Sequence, residues 1–394
     1  MSGLDDQIAR KRKELESHPP RDTTGRAAAL HSLAFSLRNK FVETKDIVDL
    51  EEAIAVHQSA LDLRPPGDSN RSDSLHWLAL CFSDRYDKQG TTTDLEEAIT
   101  LGRAALGLRS PGHSGRAVTL HNLANGMRRK FLKFGASADF DEAISLYQSA
   151  LDLRPAGHSN RPDSLHSLAV CFSDRYDKQC TLADLEESIT LGRAALELCS
   201  PGHSGRDVTL NSLAIYLRKR FLKFGVCADL DEAISMHQSA LGLRPAGHSH
   251  RSDSLHSLAL CFSNRYDKQD IVVDLEEAIT LGRAALELCS PGHSGRAVTF
   301  NNLAYDLRKR FLKFGASADL DEAISMHQSA LDLRPAGHSN RTNSLHELAL
   351  CFSDRYDKQG TAADLEEAIT LGRAALELHS PGHSGRAVTQ QPCI

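Results

Sequence analysis

The sequence is poor in aromatic residues: it contains one tryptophan, Trp77, and aromatic residues make up 6% of its 394 residues. It also lacks any apolar run near the ~20 residues that a membrane-spanning helix needs. Its first twenty residues are rich in charge and have no apolar segment of the kind that directs secretion. We therefore expect no conventional large core, no secretory signal and no membrane partner.

Charge and cysteine content exclude further classes of protein. The net charge is −6 at pH 7, which provides no general attraction to nucleic acid or to an anionic membrane. Nine cysteines, an odd number in a long chain, argue against a disulfide framework and favour a reducing, cytoplasmic location. The chain also lacks zinc-ligand spacings, phosphate-binding loops and nucleophile motifs, so we expect no metal, no cofactor and no catalysis.

An internal repeat covers almost the whole chain. A pair of Ala-Ile type recurs every 45 residues, from Ala53 and Ile54 to Ala368 and Ile369, so that eight blocks cover residues 24–383. Odd and even blocks differ, which makes a larger unit of 90 residues. The repeat predicts one stack of similar units in place of several unrelated domains.

The segments outside the blocks are interpreted from the same pattern. Residues 1–23 are predicted to form an N-terminal capping helix, because a few apolar residues lie among many charges there. Residues 384–394 are predicted to be a truncated ninth repeat. They begin like an odd block, as at residues 296–299, and then depart from its pattern at residue 390.

Each block has the pattern of two helices. Apolar residues in the first helix fall at i, i+3, i+4 and i+7, as in residues 30–37, and a serine such as Ser114 precedes it as the expected N-cap. The second helix is expected to open with a capping box of Asp and Glu three residues apart, such as Asp49 and Glu52. Because one helix pair cannot bury its apolar face alone, the pattern predicts an all-α solenoid of stacked antiparallel helix pairs.

The blocks resemble the tetratricopeptide repeat family. Leu33-Ala34 in the first helix, Ala53 and Ala60 in the second helix and Pro65 after it match the family pattern, although this unit is longer between its helices. The resemblance implies a right-handed α-solenoid that binds protein or peptide partners in a concave groove. The longer unit is similar to fungal arrays of the kinesin-light-chain type, which often precede a CHAT domain, a caspase-like protease module.

The resemblance also assigns candidate binding residues. In this fold, the residue after the first stripe leucine of each first helix faces the concave groove, and we call these positions the ladder residues. They are His31, His76, His121, His166, Asn211, His256, Asn301 and His346. Two interpretations stay open: the ladder residues grip a partner, or they form hydrogen bonds between neighbouring repeats.

Arginines near the ladder are further candidates. Arg128, Arg218 and Arg308 lie in odd blocks, whereas even blocks carry Ser and Asp or Asn at the matching positions. This alternation favours salt bridges between adjacent repeats, and partner binding is the second interpretation. Another arginine recurs near the start of every first helix, as at Arg251, and is expected to bind the free carbonyls that end the preceding second helix.

Three functions follow as hypotheses. The first is a non-catalytic scaffold that binds protein or peptide partners through its groove. The second is a truncated regulatory array of a CHAT-type protease or another effector fusion, with a missing C-terminal effector domain as its partner. The third and weakest, suggested by the basic segment 308–314, is a solenoid that binds RNA or an acidic ligand.

Overall fold

The computed structural model describes residues 2–378, in which all regular structure is α-helical. The predicted truncated ninth repeat lies outside the described residues. The helices are α1 (Ser2–Ser17), α2 (Thr23–Thr44), α3 (Ile47–Asp62), α4 (Arg71–Gln89), α5 (Thr92–Leu108), α6 (Arg116–Phe134), α7 (Ser137–Asp152), α8 (Arg161–Gln179), α9 (Leu182–Leu198), α10 (Arg206–Phe224), α11 (Cys227–Gly242), α12 (Arg251–Gln269), α13 (Val272–Leu288), α14 (Arg296–Phe314), α15 (Ser317–Asp332), α16 (Arg341–Gln359) and α17 (Ala362–Leu378).

The helices form two compact units, with the boundary between Ser200 and Pro201. The first unit contains α1 to α9 and the second contains α10 to α17. In each unit, a first helix (α2, α4 and so on) packs on the second helix that follows it, and that second helix packs on the next first helix. The predicted all-α helical-repeat solenoid is therefore confirmed.

The turn inside a helix pair is short because one residue reverses the chain. Gly90 ends α4 with φ 72°, a left-handed conformation that glycine adopts without strain, and its N–H donates to Tyr86 O at 2.7 Å. Helix α5 begins two residues later, after Thr91. The predicted capping box is therefore wrong: Asp94 lies at the third helical position and does not cap the helix.

The turn between pairs also differs from expectation. Ser114 was the expected N-cap of α6, but Gly115 precedes the helix and makes no side-chain cap. His113 Nδ1 accepts instead from the N–H of Gly115 itself, at 3.0 Å. The turn histidine therefore holds the residue before the helix, and no side chain caps the first turn of α6.

The apolar core consists of thin layers between successive helices. In the first unit, the Phe131 and Phe140 rings meet edge to face with centroids 4.2 Å apart, beside the fully buried Tyr147. In the second unit, Leu303 and Leu320 belong to a similar layer. Because small aliphatic side chains fill most of each layer, the fold needs few aromatic residues.

Cysteines belong to these layers as apolar side chains. Four of them occupy the same position in successive even blocks and are fully buried, and burial raises the pKa of each of these thiols to about 12. These residues are Cys81, Cys171, Cys261 and Cys351. Their prediction as small core residues is confirmed.

Within residues 2–378, no helix is both long enough and apolar enough to cross a membrane.

Candidate functional site

The first helices form one face of each unit. Successive first helices contact one another, as α2 does α4 and α4 does α6 in the first unit, and as α12 does α14 and α14 does α16 in the second. Successive second helices do not approach to the same extent. Each unit therefore curves with its first helices on the concave side, and we call that surface the first-helix face.

Two ladder residues of the first unit pack against ring side chains of their own second helices. The His31 ring lies 5.2 Å from the His57 ring, and the His121 ring lies 5.5 Å from the Tyr147 ring, both edge to face. His76 is only 5% exposed, and its Nδ1 lies 3.3 Å from Thr119 Oγ1 of the next first helix. His76 is therefore a contact between repeats with little surface left for a partner.

The ladder asparagines of the second unit are oriented by buried histidines. His237 Nδ1 lies 3.1 Å from Asn211 Oδ1, and His327 Nδ1 lies 3.0 Å from Asn301 Oδ1. Since an amide oxygen only accepts, each histidine donates through Nδ1, and each asparagine keeps its NH₂ group for another partner. His237 and His327 thus bond the oxygen of each ladder amide and not its NH₂ group.

These histidines are neutral in the folded protein. His57, His237 and His327 are fully buried, and desolvation lowers the pKa of each imidazole to about 3. Neighbouring cations add to the shift, such as Arg218 beside His237. The hydrogen bonds of His237 and His327 to the ladder asparagines could not be predicted from the spacing of the repeat.

The ladder also makes contacts between repeats within the second unit. His256 Nε2 lies 3.2 Å from Asn302 Nδ2 of the next first helix, and Asn301 Oδ1 accepts from Ser344 Oγ at 3.4 Å. The interpretation of hydrogen bonding between neighbours therefore holds for part of the ladder. His166 and His346 are partly buried residues on the first helices. A role of the ladder in partner binding stays a prediction.

The candidate arginines lie between neighbouring first helices. Arg308 Nε lies 2.5 Å from Asp354 Oδ2, and Arg128 forms the same ion pair with Asp174. Arg218 Nε donates to Asn264 Oδ1 at 2.7 Å. The predicted salt bridges between adjacent repeats are therefore confirmed for the two aspartate pairs, and partner binding by these arginines stays a prediction.

The arginine at the start of each first helix lies where the sequence predicted. Arg251 Nη1 donates to Leu241 O at 3.4 Å and to Arg244 O, and Arg341 Nη1 donates to Leu331 O at 3.4 Å and to Arg334 O. Leu241 O and Leu331 O lie in the last turn of the preceding second helices, and Arg244 O and Arg334 O lie two residues after those helices end. Carbonyls at a helix end lack the N–H partners that a continuing helix would supply. The predicted structural role is confirmed.

A further ion pair, not predicted above, joins the two helices of each pair. The second-helix aspartate pairs with a base nine residues earlier on the first helix, as Asp94 does with Arg85 Nη2 at 2.6 Å and Asp139 with Lys130 at 2.9 Å. The signal was present, because both residues recur in all eight blocks at constant separation. The same aspartate was assigned to the predicted capping box, so this cross-helix pairing was not considered.

Each unit has a cavity on its first-helix face. In the first unit, a small cavity of about 120 Å³ is lined by Asn122, Asn125, Gly102 and Gly126 among others. Gly126 lets α6 lie close to α5 here, because a Cβ at this position would lie 3.1 Å from the Ile99 side chain. Tyr147 OH donates to Asn125 Oδ1 at 2.6 Å, so that the Asn125 NH₂ group is the end without this bond.

The second unit has a larger and more polar cavity of about 390 Å³. It lies between α14 and α16, and we call it the Glu347 pocket. Its lining residues are Asn301, Asn302, Tyr305, Asn343, His346 and Glu347. Two ladder residues, Asn301 and His346, are thereby brought to one site.

The His, Cys, Asp and Glu side chains are spread along the array. Within residues 2–378, no group of three or more His, Cys, Asp or Glu side chains is arranged to hold a metal ion.

One stretch of the chain is similar to a known repeat family. Residues 296–339, which span α14 and α15, match the model of the tetratricopeptide repeat family. Residues 116–159 and 206–249 have a closely similar sequence, which supports a tetratricopeptide-repeat array in this chain.

Solved structures with a similar fold share little sequence with the array. The apo form of the quorum sensor NprR from B. thuringiensis is 15% identical with TM-score 0.53, over 94% of this chain and 99% of that chain. BtubC (BKLC) from P. vanneervenii is 18% identical with TM-score 0.43, over 62% and 94%. The C-terminal part of a TPR repeat-containing protein from Cytophaga hutchinsonii is 15% identical with TM-score 0.45, over 80% and 99%. No curated protein matches the sequence.

Proposed function

We propose that the protein is a non-catalytic tetratricopeptide-repeat scaffold that binds protein or peptide partners on its first-helix face. The observation that carries this proposal is the orientation of the ladder amides. The bonds from His237 and His327 engage the oxygens of Asn211 and Asn301, so that the NH₂ groups of these two first-helix residues are the ends without those bonds. Donors fixed in this way suit the carbonyl oxygens of an extended chain, because they need no reordering on binding.

The polarity of the face supports a peptide ligand over an apolar one. Both cavities combine asparagine side chains with a few apolar or aromatic groups. Pockets of this composition use their few polar groups to orient a ligand and their apolar surface to gain affinity. The ladder and the arginines Arg128, Arg218 and Arg308 would then line one binding surface in each unit.

Selection of a random peptide library displayed on phage would test the proposal on the immobilised full chain. We expect enriched peptides that bind the wild type and lose at least tenfold in affinity when His121, Asn301 and His346 are all replaced by alanine. The matched control replaces the exposed second-helix residues Gln238 and Gln328 by alanine and should retain affinity. Circular dichroism would confirm that both variants are folded.

Two results would contradict the proposal. Failure to enrich any peptide would contradict partner binding by this array. Equal affinity of the folded ladder variant and the wild type would contradict the assignment of the first-helix face.

The finer family interpretation is also a proposal. The long repeat unit supports a relationship to the fungal kinesin-light-chain-type arrays, and through them to a regulatory array joined to a CHAT protease module. Sequencing of full-length transcripts would test the fusion. An in-frame module with the protease Cys and His would support it, and a transcript-supported stop directly after Ile394 would contradict it.

A further inference from the structure

The Glu347 pocket contains a buried carboxylate oxygen. Glu347 Oε2 is shielded from solvent and has no hydrogen-bond partner in the part of the chain that the structure describes. No lysine or arginine lines the pocket. A carboxylate oxygen withdrawn from water without a partner costs free energy, which a donor from outside the chain would recover.

Two bases close to the pocket already have carboxylate partners, although Arg308 also acts on Glu347 electrostatically. Lys309 Nζ lies 2.7 Å from Asp267 Oδ1 and 3.5 Å from Asp306 Oδ1. Arg308 pairs with Asp354 at 2.5 Å. The local charge is therefore negative, and Glu347 is the member of this group that faces the cavity.

The negative charge of Glu347 is not shared by the other even blocks. The positions that correspond to Glu347 in the other even blocks hold Trp77, Ser167 and Ser257. In blocks that otherwise differ little, a single acidic replacement on the first-helix face changes the chemistry of one pocket only.

Other pocket groups offer acceptors as well. Asn302 Nδ2 is occupied by His256 Nε2 at 3.2 Å, which leaves Asn302 Oδ1 as the end without this bond. The Tyr305 ring already has a cation beside it, since Lys309 Nζ lies 4.2 Å from its centroid, so the ring is not counted as a free acceptor. The carboxylate and the amide oxygen together match the planar fork of donors on a guanidinium group.

We propose that the Glu347 pocket binds an arginine side chain of the partner peptide, through an ion pair with Glu347 and a hydrogen bond to Asn302. The assignment rests on the proposed function, because it names the ligand chemistry of one part of the first-helix face. The cavity of about 390 Å³ can admit one such side chain.

Phage selection on the full chain tests the assignment with three proteins: the wild type, E347Q and E377Q. Glu377 is an exposed glutamate on α17, outside the pocket, so E377Q controls for the change in net charge. We expect arginine at one position of the peptides selected by the wild type and by E377Q, and loss of that preference with E347Q.

A selected peptide, made synthetically, then gives affinities by fluorescence anisotropy. Glu347→Gln should weaken binding about tenfold, and citrulline in place of the peptide arginine should weaken binding to the wild type equally. The two changes should not add, because both remove the same ion pair. Salt should weaken binding to the wild type more steeply than to E347Q.

The contradicting results separate this assignment from the proposed function. Arginine enrichment that persists with E347Q, or additive effects of the two changes, would overturn the assignment. Peptides without basic residues that still require the ladder would overturn the assignment and leave the groove function standing. Failure to enrich any peptide would overturn both.

Discussion

Arg265 and Asp274 form a two-pronged ion pair that joins a first helix to its second helix, with Nε–Oδ2 at 2.7 Å and Nη2–Oδ1 at 2.8 Å. The Asp274 side chain is 4% exposed, whereas that of Arg265 is 24% exposed. Equivalent pairs recur along the array, so this contact defines how each helix pair closes. The bonds to Asp274 raise the pKa of the Arg265 guanidinium above its ordinary value.

Removal of this carboxylate should be destabilising. We expect Asp274→Asn to lower the free energy of unfolding by about 2 kcal/mol, because a buried charged partner is lost. Asp231 is the matched control: its carboxylate lies 3.0 Å from the same arginine, but its side chain is 55% exposed. Asp231→Asn should cost less than about 1 kcal/mol. Urea titration would measure both, and equal losses would contradict the assignment.

The arginine at the helix start should also matter for stability. We expect Arg341→Ala to cost about 1–2 kcal/mol, because Leu331 O and Arg334 O lose a donor at the end of a helix. Arg283→Ala removes an exposed ion pair with Glu322 and serves as the control. A thermal melt of Arg341→Ala that coincides with the wild-type melt would contradict the structural role.

Buried histidines predict a loss of stability in acid. The pKa of His237 and of His327 is about 3 in the folded chain, well below the ordinary value near 6.5. Between these values the unfolded chain binds protons that the folded chain does not, so stability falls as the pH falls from 6.5 toward 3. Each histidine contributes up to about a tenfold change in the unfolding equilibrium constant per pH unit.

Replacement of both histidines would test this dependence. We expect His237→Phe with His327→Phe to flatten the decline in stability between pH 7 and pH 5, measured by urea unfolding. His338→Asn is the control, because His338 is exposed and asparagine can keep its turn contact with Asn340 N. An unchanged pH dependence in the double variant would show that other groups cause the decline.

Asp306 predicts the opposite pH dependence. Burial raises the pKa of its carboxyl group to about 6, despite Lys309 and a hydrogen bond from Ser263 Oγ. Relative to the unfolded chain, the folded chain therefore holds this proton more tightly, and stability is lost as the pH rises from 3.8 through 6. Asp306→Asn should raise the melting temperature at pH 7.5 and leave it nearly unchanged at pH 4. No gain at pH 7.5 would contradict this account.

The repetition of the sequence made the fold predictable. The apolar stripe in residues 30–37 recurs in every block, so each block independently predicts the same helix pair. The helix starts were not predictable in the same way. An aspartate in the first turn is favourable both as a cap and at the third position, and Asp94 takes the third position because Arg85 on another helix holds it.

The candidate site was only partly predictable from sequence. The register of the repeat identified Asn301 and its equivalents as ladder residues, but the end of the amide that faces a partner depends on His327, 26 residues away. Glu347 is visible in the sequence as a change from Ser257. Whether Glu347 can bind an outside cation depends on whether the neighbouring bases already have carboxylate partners. That is set by packing between helices and cannot be predicted from the sequence.

Photo-crosslinking to a selected peptide tests the central claim most directly. A photo-crosslinking amino acid would replace His346 on the first-helix face or, in a second protein, the exposed Gln328 on the second helix. The account predicts a crosslink between the peptide and position 346 and none with position 328. A crosslink with position 328 alone would contradict partner binding on the first-helix face.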